Sequence, residues 1–351
     1  MRYLLLSMML FLFWGCGSTA SKKESSESIN KAIIGTYLTD ANVDDIKLSK
    51  DNKIAYLRGY GNLTILDISN PSMPKLLSHN VISEYAIRDM AILDDDKRIY
   101  LGVDSKVIIL DISDKKKPKQ VVSYQNAAIN LSMELSSDNS KLYITTTRTR
   151  LGEQFFVLDI QDENHIVELG RQRTREYAHG IDLAISPDNT RAYVANDDWG
   201  LGIIDISDVQ NLTLLTQTHI KKRAYSVVLS SDGQEAYVVT GSEGFTILNV
   251  SDFNDVHIEG NYESSRNYIG EIIPSQDGTK LYVLKEGLKV LDITNISQPI
   301  LLSSFSIKHT RGMAISSDES KIYITKAGYS EDNTSGGLVI LDLNYFKGLS
   351  I

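Results

Sequence analysis

Residues 184–207 read AISPDNTRAYVANDDWGLGIIDIS, and close variants of this stretch recur along the whole chain. Its apolar and β-branched runs, separated by SPDNT and NDDWG, are typical of antiparallel strands joined by tight turns. The motif that ends it, LDIS or a close variant, occurs seven times at intervals of 43 to 50 residues. Its acidic or amide position is occupied by Asp67, Asp111, Asp159, Asp205, Asn249, Asp292 and Asp342.

A second landmark recurs in the same register, because an Asp in the first turn is followed five residues later by a Tyr in all seven copies. The pairs are Asp51/Tyr56, Asp95/Tyr100, Asp138/Tyr143, Asp188/Tyr193, Asp232/Tyr237, Asp277/Tyr282 and Asp318/Tyr323. Repeats of this length with four short strands each are typical of propeller blades. The sequence therefore predicts an all-β, seven-bladed β-propeller with four antiparallel strands per blade. A linear solenoid is the alternative, but it would need capping repeats at both ends, and neither end resembles a cap.

The two ends of the chain predict how the ring closes. Residues 32–40, AIIGTYLTD, precede the first complete repeat and resemble the fourth strand of the other repeats. The seventh repeat lacks a fourth strand after LVILDLN, residues 338–344. We therefore expect residues 33–38 to complete the last blade beside residues 338–343, which would protect an open sheet edge. An eighth partial blade or an open ring is the alternative.

The extreme N-terminus predicts export. One positive residue, Arg2, is followed by an apolar run from Tyr3 to Trp14 and then by Gly-Cys-Gly, a pattern that resembles the lipobox of bacterial lipoproteins. We expect a lipoprotein signal peptide at residues 1–15, a lipidated Cys16, a flexible tether at residues 16–31 and one propeller domain at residues 32–351. The protein would then be lipid-anchored in the cell envelope, at the outer membrane or cell surface. Ordinary cleavage near Gly17 or an uncleaved anchor is the alternative.

The amino-acid sequence of the repeats resembles that of a known family. LTILDISNPSMPKLLS (residues 63–78) and VIILDISDKKKPKQVVS (residues 107–123) are similar to the LVIVD repeat, and SPDNTRAYVAN (residues 186–196) resembles YVTN-type propellers. The resemblance implies a secreted or surface-attached propeller that usually lacks known enzymatic activity. It supplies no catalytic residues, and fold alone does not define function.

Eleven residues before each landmark Tyr lies a position that we expect to face the central channel. It is occupied in turn by Asp45, Asp89, Ser132, Asp182, Ser226, Glu271 and Gly312. The carboxylates of Asp45, Asp89, Asp182 and Glu271 could hold a divalent cation, the only cofactor that the sequence suggests. Alternatively, and in our view preferably, each carboxylate accepts a hydrogen bond from the backbone of a neighbouring blade or from water in the channel.

A second candidate site lies in the connections between blades, where cations gather beside aromatic side chains although the chain carries a formal net charge of −9. The predicted ligand-binding residues are Arg171, Arg173, Arg175, Tyr177, His179, Arg223, Tyr225, Arg266, Tyr268, His309 and Arg311. Clustered arginines suit carboxylate, phosphate or sulfate groups, as found on a protein or an anionic glycan. Ordinary solvated loop charge is the alternative interpretation.

Three functions are compatible with these patterns. The preferred hypothesis is a monomeric binding or scaffold propeller that takes a protein or anionic partner on its loops. The second is a lactonase-like hydrolase with a metal in the channel, and the third is a purely structural component. The acidic charge and the lack of a nucleic-acid motif argue against nucleic acid as a partner, and no catalytic constellation is present in the sequence.

Overall fold

The computed structural model describes residues 31–126, 128–146, 155–172, 181–241, 244–263, 269–328 and 335–347. Within these ranges the chain forms seven four-stranded sheets whose neighbouring strands are antiparallel. A short helix, Asn344–Lys347, follows the last strand. The all-β, seven-bladed architecture predicted from the repeats is confirmed.

The first complete blade is built from consecutive strands, and the next three repeat its order. Blade 1 comprises β2 (Asp45–Leu48), β3 (Ile54–Arg58), β4 (Asn62–Asp67) and β5 (Lys75–Val81). Blade 2 comprises β6 (Ile87–Ile92), β7 (Arg98–Val103), β8 (Lys106–Asp111) and β9 (Lys119–Gln125). Blade 3 comprises β10 (Asn130–Leu135), β11 (Lys141–Thr146), β12 (Phe155–Asp159) and β13 (Val167–Gln172). Blade 4 comprises β14 (Asp182–Ile185), β15 (Arg191–Ala195), β16 (Leu201–Asp205) and β17 (Thr213–Thr218).

Blades 5 and 6 are also built from consecutive strands, and only blade 7 departs from this order. Blade 5 comprises β18 (Ser226–Leu229), β19 (Glu235–Val239), β20 (Gly244–Asn249) and β21 (His257–Glu263). Blade 6 comprises β22 (Glu271–Pro274), β23 (Lys280–Leu284), β24 (Gly287–Asp292) and β25 (Ile300–Ser306). Blade 7 comprises β26 (Thr310–Ile315), β27 (Lys321–Lys326) and β28 (Gly336–Asp342), and its fourth strand is β1 (Ile33–Thr39).

The N-terminal strand closes the ring as predicted. β1 pairs antiparallel with β28, with Ile33 opposite Leu341 and Leu38 opposite Gly337. The innermost strands contact one another in an unbroken cycle from β2 round to β26 and back to β2. The ring is therefore closed without a covalent link, because the first strand of the chain is the fourth strand of the last blade.

The hydrophobic core is divided among the seven blade junctions. Seven clusters of buried side chains are present, and each joins residues of two successive blades. In the cluster between blades 7 and 1, for example, Tyr323 and Leu338 pack with Ile46 and Leu57. This explains why the strand sequences are nearly continuous apolar runs, because both faces of each sheet are covered by neighbours.

The strand order gives the propeller two distinct faces. The connections from the second to the third strand of a blade, and from the fourth strand to the next blade, lie on one face, which we call the loop face. The turns from the first to the second and from the third to the fourth strand lie on the other, the turn face. Inner strands run from the loop face to the turn face, so their first residues lie at the loop-face end of the channel.

Candidate functional site

A cavity of about 550 Å³ runs along the channel between the inner strands. The four predicted channel carboxylates, Asp45, Asp89, Asp182 and Glu271, all line it. They occupy the same position on their respective inner strands, which explains why one offset from the landmark Tyr locates all of them. All four therefore face the channel, as expected from the sequence, and the structure adds that they share one cavity.

Three of these carboxylates are engaged by the backbone of the next blade. Asp89 accepts a hydrogen bond of 2.7 Å from the Met133 amide, Asp182 accepts one of 3.1 Å from the Val227 amide, and Glu271 accepts one of 2.6 Å from the Met313 amide. Each contact crosses a blade junction, so these carboxylates stabilise the ring by satisfying buried donors. These contacts match the alternative interpretation, in which each carboxylate binds the backbone of a neighbouring blade and not a metal ion.

Asp45 is bound differently, although it occupies the same position on blade 1. Its Oδ1 accepts a 2.7 Å hydrogen bond from the amide of the next residue, Ile46. Its Oδ2 lies 3.4 Å from Nη2 of Arg58, and Nη1 of the same guanidinium donates a 2.8 Å hydrogen bond to the carbonyl of Ile87 on blade 2. Arg58 therefore spans the junction that a carboxylate spans elsewhere.

The carboxylates do not form a recognisable metal site among the described residues. No group of three or more His, Cys, Asp or Glu side chains there is arranged to hold a metal ion. Divalent cation binding by Asp45, Asp89, Asp182 and Glu271, and the hydrolase that would depend on it, stay predictions.

Two charged side chains deeper in the channel were missed by the sequence analysis. Lys47 and Glu134 also line the cavity, each two residues beyond the carboxylate or small residue of its own strand. Desolvation by the surrounding blades raises the pKa of Glu134 to about 7 and that of Glu271 to about 8. Side chains two residues apart on a strand lie on the same face, so both positions could have been inferred from the channel carboxylates. Neither charged residue recurs at the equivalent position of the other blades, however, so the repeat pattern did not reveal them.

The predicted basic and aromatic residues on the loops are only partly brought together. Arg171 lies within β13, on the outer rim of blade 3, and not in the connection that follows it. Its guanidinium pairs with Glu168 on the same strand. Arg223 is on the loop face, where its Nε donates a 2.8 Å hydrogen bond to Asp198. Both arginines are thus paired with acidic neighbours.

Tyr225, His309 and Arg311 lie on the loop-face side, and Tyr225 and Arg311 line the cavity. The other predicted binding residues fall outside the described residues, as does the predicted lipidation site. They are Arg173, Arg175, Tyr177, His179, Arg266, Tyr268 and Cys16. Their roles stay predictions.

Two arginines lie at the loop-face end of the cavity, where Asp44 also lines it. Arg88 and Arg311 open the inner strands of blades 2 and 7, and both are exposed and line the cavity together with Tyr225 of blade 5. We call these three residues the channel mouth. Arg88 was not predicted, because residues 82–87, the connection that precedes it, carry no other basic side chain.

Beside the mouth, blade 1 exposes apolar side chains on the loop face. Tyr60, Val81 and Tyr85 are 66%, 80% and 63% exposed. The loops that carry them are joined by backbone contacts, since the carbonyl of Gly61 accepts hydrogen bonds of 2.8 and 3.1 Å from the amides of Ile82 and Ser83. We call Tyr60, Val81 and Tyr85 the apolar cluster; the repeat pattern gave no sign of it, since it occurs on one blade.

The fold and its channel define the class of protein: a seven-bladed β-propeller. The chain carries LVIVD repeats, since residues 42–80, 183–218 and 280–306 match the model of that repeat. The resemblance of the repeats to the LVIVD repeat is thereby confirmed. No curated protein matches the chain.

Solved structures share the architecture. The β-propeller domain of Cps50 (Swd1) from Myceliophteria thermophila is 11% identical, with a TM-score of 0.70 over 88% of this chain and 98% of that one. A functionally unknown protein from Desulfotomaculum acetoxidans is 16% identical, with a TM-score of 0.61 over 81% of this chain and 96% of that one. At these identities the likeness concerns the fold alone. Among the described residues, no helix is long and apolar enough to cross a membrane.

Proposed function

We propose that the protein is a lipid-anchored binding propeller of the bacterial envelope, which uses its loop face to hold an acidic protein partner or an anionic glycan. The observation that carries the proposal is the channel mouth, where Arg88 and Arg311 are exposed on a protein of net charge −9. Arginine suits this task because its planar guanidinium pairs with carboxylate, phosphate or sulfate groups through two parallel hydrogen bonds.

The apolar cluster favours a protein partner over a glycan. Tyr60 and Tyr85 combine a large apolar ring with a polar hydroxyl, and tyrosine and arginine are the residue types that contribute most to protein interfaces. Arg88 follows Tyr85 by three residues at the start of blade 2, so the basic and the apolar groups adjoin. A partner segment with acidic residues next to an apolar side chain would match both.

The test is a charge reversal at the mouth with a matched control on the opposite face. The variant Arg88→Glu with Arg311→Glu should lose partner capture from envelope extracts. The control, Lys116→Glu with Lys117→Glu, makes the same change of charge at exposed lysines of the turn face and should capture the partner normally. Binding should also weaken as salt rises, because exposed charges are screened.

The mouth variant and the control can be compared once both are shown to have the same thermal midpoint as the original protein. Loss of the partner by the mouth variant alone supports the proposal. Equal capture by the mouth variant and the control contradicts it. A further variant, Tyr60→Ser with Tyr85→Ser, distinguishes partners: it should weaken capture of a protein and leave binding of a sulfated glycan unchanged.

A further inference from the structure

Exposed large apolar side chains are concentrated on blade 1. Ten are exposed among the described residues, and five of these belong to this blade or to the connection that follows it, whereas no other blade has more than one. Besides Tyr60, Val81 and Tyr85 of the apolar cluster, they are Met73 and Leu76, which are 62% and 51% exposed. The apolar surface therefore continues from the loop face down the outer rim of the blade, and such a concentration marks an interaction surface.

The outer strand of blade 1 presents three of its side chains in one row. Leu76, His79 and Val81 of β5 lie opposite alternate residues of β4, so they share one face of the sheet, and all three are exposed. β5 is also fixed to the next blade, because the Ser78 hydroxyl donates a 2.7 Å hydrogen bond to the carbonyl of Lys115 on blade 2. The row is therefore displayed on a backbone that is already held in place.

The outer edge of β5 offers backbone groups to a further strand. Within the described residues β5 pairs with β4 alone, and the bonds to a neighbour alternate along an antiparallel strand. The Ile82 amide donates to the carbonyl of Gly61 in continuation of the β4–β5 ladder. The amide of Asn80 accordingly faces β4, and the amides of His79 and Val81 face outward. Other outer strands have free edges too, so the apolar side chains are what distinguishes β5.

We propose that the protein partner docks as an extended strand on the free edge of β5 and becomes the fifth strand of blade 1. The inference rests on the proposed function and specifies its partner as a polypeptide segment with alternating apolar side chains. In this mode of recognition backbone pairing supplies affinity, and side chains beside the row supply specificity. β5 runs from the turn face to the loop face, so an antiparallel partner strand begins at the loop face beside the channel mouth.

The charges along this path suit an acidic segment. Arg88 lies beyond the loop-face end of β5 and Lys75 at its turn-face end, and both are exposed, with the exposed acid Glu84 near Arg88. A partner with an acid at each end of the strand would meet both cations. A second copy of the chain fits less well, because symmetric antiparallel pairing about Ser78 would set Lys75 against Val81. The site is therefore assigned to an acidic segment of a different protein.

A synthetic peptide tests the docking directly. It begins with two aspartates for Arg88, continues with alternating valine and threonine over the length of β5, and ends in a glutamate for Lys75. Binding of the peptide should slow hydrogen exchange at the amides of His79 and Val81, measured by NMR, because both amides gain partners. The same peptide with two central prolines should give no protection, since proline has no amide to join the ladder.

Substitutions in the protein locate the contact. Val81→Pro removes an outward amide without breaking a bond to β4, and it should weaken peptide binding about tenfold. Ser306→Pro is the matched control, because Ser306 is exposed and holds the same register position on β25 of blade 6; it should bind the peptide as the original protein does. Leu76→Ser with Val81→Ser removes the apolar row, leaves every amide in place and should also weaken binding about tenfold.

The results either support or overturn docking on β5. Protection at His79 and Val81, with binding weakened in the β5 variants and kept in Ser306→Pro, supports it. An original protein that shows no protection overturns it, and so does equal binding by the β5 variants and the control. If Val81→Pro does not fold, the double serine variant decides by itself. A dimer of the original protein that light scattering no longer detects in the double serine variant also overturns it, because a second copy would then occupy the edge.

The mouth variant, Arg88→Glu with Arg311→Glu, separates this inference from the proposed function. If the mouth variant loses its envelope partner and Val81→Pro keeps it, the proposed function stands and docking on β5 is overturned. If Val81→Pro loses the partner and the mouth variant keeps it, docking on β5 stands and the role of the channel mouth is wrong. Normal capture by both variants overturns both.

Discussion

The most regular residue of the repeat, the landmark Tyr, is a core residue and not a ligand-binding one. All seven copies are at most 3% exposed. Each packs in the cluster that its blade shares with the next blade, as Tyr56 does with Met90 and Ile99. Burial accordingly raises the pKa of several of these phenols, for example that of Tyr143, to about 12. The constant spacing of the landmark Tyr reflects the geometry of one blade junction, which is repeated around the ring.

The Asp that precedes the landmark Tyr shapes the turn. In blade 4 the hydroxyl of Ser186 donates to Asp188, whose carboxylate also accepts a 3.0 Å hydrogen bond from the Thr190 amide. The residue between, Asn189, has a φ of 55°. Asn and Gly adopt this left-handed conformation most readily, which explains why Asn, Asp or Gly follows the Asp in six blades.

The landmark residue Tyr56 contributes a polar contact across a blade junction, and removal of this contact is a sharp test at the residue scale. The hydroxyl of Tyr56 donates to the carboxylate of Asp96 on blade 2. Tyr56→Phe should lower the free energy of unfolding by about 1–2 kcal/mol, because a partly buried hydrogen bond across a junction is lost. Urea denaturation measures this difference.

Tyr323→Phe is the matched control. Tyr323 is equally buried, and no hydrogen bond of its hydroxyl is found within the described ranges. We expect its replacement to cost less than about 0.5 kcal/mol. Equal losses in the two variants would mean that the contact with Asp96 contributes no stability.

The element that decides the ring is β1. It was predicted from a count of strands: one strand too many at the beginning and one too few at the end. The structure adds the reason for its precise fit, because Gly35 packs against the carbonyl of Pro71 on blade 1. β1 therefore contacts both the last blade, to which it belongs, and the first.

Truncation tests the contribution of β1 to stability. Deleting residues 28–40 should lower the free energy of unfolding by about 3–5 kcal/mol, since buried apolar groups and a whole hydrogen-bond ladder are lost. Deleting residues 17–27 alone should leave it unchanged. Chemical denaturation of the two truncated chains checks this, and equal stabilities would show that β1 does not hold the ring closed.

A single substitution tests the same closure without shortening the chain. A Cβ at Gly35 would lie 1.8 Å from the Pro71 carbonyl oxygen, so Gly35→Val should push β1 away from blade 1 and destabilise the protein by about 2 kcal/mol or more. Thr36→Val, at the exposed neighbouring position, should have little effect or slightly stabilise the strand. A Gly35→Val variant as stable as the original would refute this account of the closure.

At the scale of the whole molecule, repetition determined what could be predicted. Blade number, strand order, the closing strand and the positions of Asp89, Asp182 and Glu271 all follow from features that recur in register. Lys47, Arg88 and the apolar cluster each occur once, so the periodic pattern of the sequence did not reveal them. Backbone groups of a neighbouring blade were predicted as partners of the carboxylates, but the particular amides were not, because a contact between blades depends on how two sheets are spaced.

The place of the whole molecule in the cell depends on Cys16, which precedes the described residues. If Cys16 is lipidated, Cys16→Ser should abolish incorporation of labelled palmitate and move the protein from the membrane fraction to the soluble one, because a diacyl group anchors durably. The thermal midpoint of the propeller should not change. Unaltered membrane partition and processing of the variant would contradict the lipoprotein prediction.

The position of β1 also determines how the protein would bear mechanical load. Ile33 lies opposite Leu341 near the turn face, so β1 begins on the side away from the channel mouth. A membrane pulling on that end and a partner pulling on the loop face would stretch the β1–β28 seam along the strand axes. In that direction all hydrogen bonds of the seam are loaded together instead of one after another. The strand that closes the ring is thus oriented to resist shear between its own N-terminal end and the loop face.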